Sequence, residues 1–307
     1  MAVRTNSRLT RRGLVTALLA AVVSLTWSAT HGQSEPLLHE RYSALQDRLA
    51  NSTFQRPLII ESRMASGSIH GDVYAVIAHP FPLLSRALQG AGYWCDIMML
   101  HLNVKNCLVG RPAQDASGAT GIRVALGRKY DQALEETYQI DFDYRVPLSR
   151  PDYFTVQLTA ENGPLDTHHY KMAVEAIAIN EKSSFIHMTY SYAYGASAQL
   201  AMDIYLATIA RNKVGFSRLN PQSDSSPIYI GGTLGGVERN TMRYYLAIEA
   251  FLAAFELPID AQPEARLRDW FAAIERYPRQ LHELTREQYL RMKRAELIRQ
   301  RAATAAN

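Results

Sequence analysis

Cysteine is scarce: the 307 residues hold two, Cys95 and Cys107, too few for a disulfide-built miniprotein. They lack the Cys-x-x-Cys spacing and have no nearby pair of histidines, so no tetrahedral metal site is expected. Long apolar runs are missing too. The apolar stretch at residues 14–25 is about a dozen residues long, where a membrane span needs about 20. Excess charge is absent from the body of the chain. The formal charge of +4 comes from 33 basic and 29 acidic residues, but Arg4, Arg8, Arg11 and Arg12 all precede the first acid, Glu35. Without those four the balance is 29 against 29. A neutral body offers no broad footprint for a phosphate backbone, so nucleic acid is not an expected partner.

The common catalytic patterns also fail. Gly231-Gly232-Thr233-Leu234-Gly235-Gly236 matches neither Gly-x-Gly-x-x-Gly nor the Gly-Lys-Ser ending, and reads as a hinge or lid. Gly195-Ala196-Ser197-Ala198-Gln199 has Gln where a nucleophile elbow has its second glycine, so Ser197 reads as a helix cap. Asp166, His168 and His169 are weak metal ligands, because adjacent histidines on a strand point to opposite faces. No catalytic residue, metal or cofactor is assigned.

The N-terminus carries an address. A basic stretch ending in Arg11-Arg12, the apolar run and the small, polar residues 28–33 have the layout of a cleaved secretory signal peptide over residues 1–33. Residues 10–15 also resemble a twin-arginine signal but lack its following Lys, so general secretion is favoured. No Leu-x-x-Cys lipobox follows. The expected location is periplasmic or secreted, and in that oxidising setting Cys95 and Cys107 are either bridged or two buried thiols.

Periodicity then sets the architecture. Residues 34–56 hold a charged amphipathic helix and a linker. Ile69, Gly71, Val73, Ala75 and Ile77 alternate on one strand, and two short helices follow after Pro80. From Leu100 the period is two for about a hundred residues, plainest where Tyr138, Ile140, Phe142, Tyr144 and Val146 oppose Gln139, Asp141, Asp143 and Arg145. Six strands of an antiparallel sheet with one buried face are expected there. A helix is expected over 197–210, a polar loop over 220–236 that suits a gate, and a long apolar helix over 237–256 that needs a large surface such as the sheet's apolar face. Residues 257–307 form a helical extension in which Thr285 and Gln288 are placed for a capping box. This tail is basic, with Arg291, Lys293, Arg294, Arg299 and Arg301 near its end. It reads either as a solvated appendage or as a contact for a protein or an anionic membrane surface.

One strand, two helices, six antiparallel strands and a long returning helix is an order that resembles the START/SRPBCC superfamily of lipid-transfer domains, ligand carriers and polyketide cyclases. Residues 71–81, Gly-Asp-Val-Tyr-Ala-Val-Ile-Ala-His-Pro-Phe, with Trp94 beyond them, resemble its strand-then-helix opening. The resemblance covers residues 57–256. It implies an α+β helix-grip fold, a curved antiparallel sheet of about seven strands wrapped on one long helix, with an apolar cavity between the two.

A hydrophobic small molecule or lipid is the expected partner of that cavity. Tyr190, Tyr192 and Tyr194 on one strand, and Tyr244 and Tyr245 on the long helix, are candidate ligand contacts, since tyrosine offers an apolar ring and an orienting hydroxyl. Core filling is the equal alternative. Arg239 and Arg243, four apart, suit an anionic headgroup or salt bridges, and Glu249 lacks a charged partner on its own helix. An exported carrier is the first functional reading. A cyclase-like or hydrolytic enzyme using His101, Lys105, Glu249 or the arginines is the second, and a non-catalytic scaffold with a partner-binding tail is the third.

Overall fold

The computed structural model describes residues 34–65, 67–112, 118–197, 211–220 and 226–305. The signal-like segment and the helix expected over 197–210 therefore lie outside the described residues, apart from Ser197. Helix α1 (Ser34–Ala50) leads into strands β1 (Leu58–Ala65) and β2 (Ser68–Ile77). Two short helices follow, α2 (Phe81–Leu88) and α3 (Ala91–Met98). Six strands come next: β3 (Val104–Pro112), β4 (Thr120–Leu126), β5 (Tyr138–Ser149), β6 (Tyr153–Asn162), β7 (Thr167–Asn180) and β8 (Ser183–Tyr194). They form one antiparallel sheet of eight strands in the order β1-β2-β8-β7-β6-β5-β4-β3. The count exceeds the expected seven because residues 58–65 pair with β2 as a strand of their own.

Alternation fixes which face is buried. On β5, Ile140, Phe142 and Tyr144 are buried while Gln139, Asp141 and Asp143 are exposed. Tyr138 departs from that pattern, half exposed at the strand's start. The register aligns Ser62, Gly71, Tyr190, Met172, Leu158, Tyr144 and Thr120 in one row across the sheet. The histidine reading needs correction. A bulge between His168 and Lys171, with His169 at φ 50°, breaks the alternation and brings the two rings to 4.7 Å instead of opposite faces.

The long helix α4 (Gly232–Ala254) crosses the inner face. It comes so near at Gly71 that a Cβ there would stand 2.3 Å from Thr241 Oγ1, so only glycine admits the helix at that point. The helix starts at Gly232, within the segment expected to be loop or lid. Its first turn packs so tightly that a Cβ on Gly235 would lie 2.8 Å from the Ile230 carbonyl and 3.0 Å from the Gly215 nitrogen. Within the glycine run Gly235 thus serves close packing, Gly232 sits at φ +60°, and the expected gate shortens to the residues before 232. Glu238, fully buried, holds that turn by accepting from the Phe216 and Ser217 amides and from the hydroxyls of Ser62 and Ser217.

The outer face is not simply solvated as the alternation suggested. Helix α1 lies on it, packing Leu38, Leu45 and Leu49 against Ile59, Tyr74, Tyr153, Ile177 and Phe185. The C-terminal helices α5 (Gln262–Ile274), α6 (Pro278–Leu281) and α7 (Arg286–Ala305) share the main core through Leu267, Trp270 and Tyr289. The solvated-appendage reading is thereby overturned. Trp270 donates to the Arg243 carbonyl and stacks on Tyr289, whose hydroxyl donates to the Leu100 carbonyl at 3.0 Å. The capping box forms, with the Thr285 amide on Gln288 Oε1 and the Gln288 amide on Thr285 Oγ1.

Candidate functional site

Part of the interior between the inner sheet face and α4 is filled by aromatic rings. Tyr170 of β7 stacks on Tyr192 of β8 at 5.3 Å, Tyr192 meets Tyr190 at 6.0 Å, and Tyr190 meets Tyr244 of α4 at 5.5 Å. The other side of Tyr244 is covered by the His101 imidazole, stacked at 4.7 Å. Strand parity places the sheet tyrosines, and the helical stripe places Tyr244 opposite them. A void of about 20 Å³ remains beside Tyr190, Tyr244, Met98, Ile140, Phe142 and Met172. That is room for one water.

Two polar atoms in this interior have no partner. His101 Nδ1 accepts from the Asn103 amide at 3.2 Å, so the ring proton belongs on Nε2, which is buried without an acceptor. The Tyr144 hydroxyl is buried and unpaired as well. Burial, reinforced by Arg243, Lys293, Lys129 and Lys105, holds His101 well below the usual imidazole range, so the ring is neutral. Burial likewise pushes Tyr144, Tyr190, Tyr192 and Tyr244 up, so all four are neutral phenols at physiological pH. The wall can donate hydrogen bonds and offers no anion.

The sequence candidates divide. Tyr190, Tyr192 and Tyr244 converge here, and Tyr194 stands at the margin, 6.5 Å from Tyr192. Tyr245 and Glu249 belong to a separate cluster: the Tyr245 hydroxyl donates to Glu249 at 2.7 Å, and Arg56 reaches both. Arg239 donates to the Val214 carbonyl at 3.2 Å, and Arg243 pairs with Glu283 at 3.0 Å. Lys105 is sealed between the Leu102 carbonyl and Glu296, at 3.0 and 2.9 Å. Tyr144 and Tyr170 also face this interior, on inward positions that strand parity alone marks. Cys95 and Cys107 are bridged, their Cα atoms 5.2 Å apart, tying α3 to β3. In the basic tail Lys293 is buried, donating to the Val104 carbonyl at 2.7 Å, Arg294 pairs with Glu264 and Arg299 with Asp131. Among the described residues no group of three or more His, Cys, Asp or Glu side chains is placed to hold a metal.

The outer face carries a different constellation that single-strand patterns did not signal. His187 lies between two carboxylates, Nδ1 2.8 Å from Glu175 and Nε2 3.0 Å from Asp72. Thr189 and Arg63 complete Asp72, and Tyr153 donates to Glu175 at 3.0 Å. Tyr74 stacks on the imidazole at 4.3 Å, beneath Arg41 of α1. Despite desolvation, these hydrogen bonds hold Asp72 down at about 2 and raise His187. Both ring nitrogens are engaged, so this imidazolium is a structural cation and not a free base.

No family profile matches the chain, and no curated protein matches it in sequence. Solved structures similar to it include an aromatase/cyclase from Streptomyces, at 10% identity over 70% of this chain and 95% of that one, with a TM-score of 0.32. Human StAR-related lipid transfer protein 5 matches at 10% identity over 58% of this chain and 91% of its own, TM-score 0.31. A START superfamily protein from Mycobacterium smegmatis matches at 7% identity over 46% and 92%, TM-score 0.31. At such scores the likeness carries no argument about function. The helix-grip description rests on the strand order and on the place of α4 across the sheet.

Proposed function

We propose that the protein is an exported carrier that holds a hydrophobic small molecule with a hydrogen-bond-accepting end, or a lipid, between the inner sheet face and α4. The observation that carries this reading is the pair of buried, unpartnered donors, His101 Nε2–H and the Tyr144 hydroxyl, in an interior walled by aromatic rings. Folded proteins leave few buried polar groups unpaired, because each costs about 1–3 kcal/mol, and a ligand carbonyl or hydroxyl would satisfy them. The void accepts one water, so a larger ligand must part the wall. Burying ligand area at about 25 cal/mol per Å² would drive that opening. The signal-like N-terminus supports export, and a bridged cysteine pair suits an oxidising compartment.

Organic extraction of the purified protein, followed by mass spectrometry, tests the reading. A stoichiometric apolar compound is expected, and its affinity is expected to fall about tenfold in His101→Leu and in Tyr144→Phe, the equivalent of one hydrogen bond. Protein that is purified empty and ignores added fatty acids and polycyclic aromatics would sink the proposal.

A further inference from the structure

Strand β3 ends the sheet, and α7 satisfies its backbone only at and before its start. There Tyr289 and Lys293 donate to the carbonyls of Leu100, His101 and Val104. From Asn106 to Val109 the backbone pairs with β4 on one side, and among the described residues it makes no further hydrogen bond. An open edge turns alternate N–H and C=O groups outward, and folded proteins normally cover or blunt it. Here the edge borders a cleft of about 1000 Å³. Leu108, Val109 and Gly121 line it from the sheet, Gly92 from α3, and Gln300 and Arg301 from the end of α7.

The lining suits a main chain laid against the strand. A Cβ built on Gly92 or on Gly121 meets nothing within 4 Å, so space is open at both positions. Val109 is 44% exposed and offers an apolar contact. Gln300 Oε1 is buried with no partner, an acceptor waiting for a donor. Of the charges around the cleft, Arg123 is held by Asp141 at 2.6 Å and Asp96 by Arg266 at 2.8 Å. Arg301 is exposed and meets no acid among the described residues, so its complement is a carboxylate from outside. Register shifts between Val104 and Asn106 and between Val109 and Pro112 bound the open stretch, which restricts pairing to a short segment.

We propose that this cleft receives one extended segment of a partner protein, laid beside β3 as a ninth strand, with a carboxylate of that segment on Arg301. Main-chain hydrogen bonds along Asn106–Val109 would supply affinity, and Val109 and Arg301 would select the side chains. A small molecule offers no row of donors and acceptors at strand spacing. A second copy paired through β3 would bring its own α7 to the same edge. The site is separate from the aromatic interior and does not depend on any ligand there.

Selection of displayed random peptides about eight residues long, enough to span the strand at about 3.3 Å each, on the purified protein tests the site. Sequences that alternate apolar residues and carry an acid are expected to be enriched. Resynthesised with fluorescein and followed by anisotropy, such a peptide should lose about tenfold in affinity when the amides of one edge are N-methylated, and little when those of the other edge are. Gly92→Leu and Gly121→Leu place their side chains in open space, so each should melt within about 2 °C of the unaltered protein and bind about tenfold more weakly. Arg301→Gln should weaken binding about threefold, as expected of an exposed ion pair. The methylated peptides decide the matter even if a glycine variant does not fold. No enrichment over a mock selection, equal sensitivity to methylation of either edge, or binding indifferent to both glycine variants would overturn the proposal. A concentration-dependent dimer in sedimentation that Gly121→Leu abolishes would overturn it in favour of a second copy at this edge.

Discussion

The two faces of one sheet treat polar atoms in opposite ways. On the outer face, under α1, Asp72, His187 and Glu175 are charged and each finds partners within 3.0 Å. In the aromatic wall of the inner face, under α4, the groups are neutral phenols and a neutral imidazole, and two of their polar atoms are buried with no partner. Both faces are packed against a helix, so burial alone does not explain the contrast. A satisfied network fixes a structure, whereas an unsatisfied one costs stability and persists where something else supplies the missing bond. The outer cluster is therefore read as the clamp that aligns β2, β7 and β8, and the inner wall as the place where the proposed ligand would bind.

That contrast can be broken by substitution. The largest effect is expected for Asp72→Ala, which strands the His187 imidazolium beside Glu175 and should cost about 3 kcal/mol in denaturant unfolding. Acid titration should show a smaller loss. Because Asp72 sits at about 2 in the folded state against an ordinary 3.8, its contribution is complete above about pH 4 and disappears as the pH falls toward 2. His187, raised from 6.5, contributes fully below that value and loses its share as the pH rises through the raised one. The cluster thus supports the fold best between about pH 4 and 6.5, and the stability gap between the unaltered protein and Asp72→Asn should shrink below about pH 4, reflecting at most about 2 kcal/mol. The smallest effects give the sharpest comparison. Tyr153→Phe, which removes a hydroxyl from a carboxylate, should cost about 1.5 kcal/mol, whereas Tyr144→Phe should fall within about 0.5 kcal/mol of no change. Equal losses at the two tyrosines would erase the distinction between the faces.

Much of the architecture could be read in advance because alternation and helical stripes are local signals. The six strands after the helix pair, the long helix against the apolar face and the capping box at Thr285 all depend on neighbours within a few residues. What was hidden depends on distance along the chain. Glu249 has only the Tyr245 hydroxyl on its own helix because its charged partner is Arg56, 193 residues away. Asp72, Glu175 and His187 occupy outward positions on three strands, each unremarkable until the register joins them. The glycine run at residues 231–236 reads as a loop by composition, yet α4 begins within it, at Gly232, with Gly235 seated tightly against Gly215 and Ile230. Of the proposed ligand contacts, ring type and parity identified Tyr190, Tyr192 and Tyr244, but no pattern tells whether a buried hydroxyl has found a partner.

The seam between β3 and α7 also has a bearing on the order in which the chain is made. The carbonyls of Leu100, His101 and Val104 receive Tyr289 and Lys293, side chains that leave the ribosome almost two hundred residues later. Until Arg286–Ala305 has been synthesised, this edge of the sheet must stay hydrated or be shielded by a chaperone. This edge of the sheet, made early, is finished by a segment that appears almost two hundred residues later.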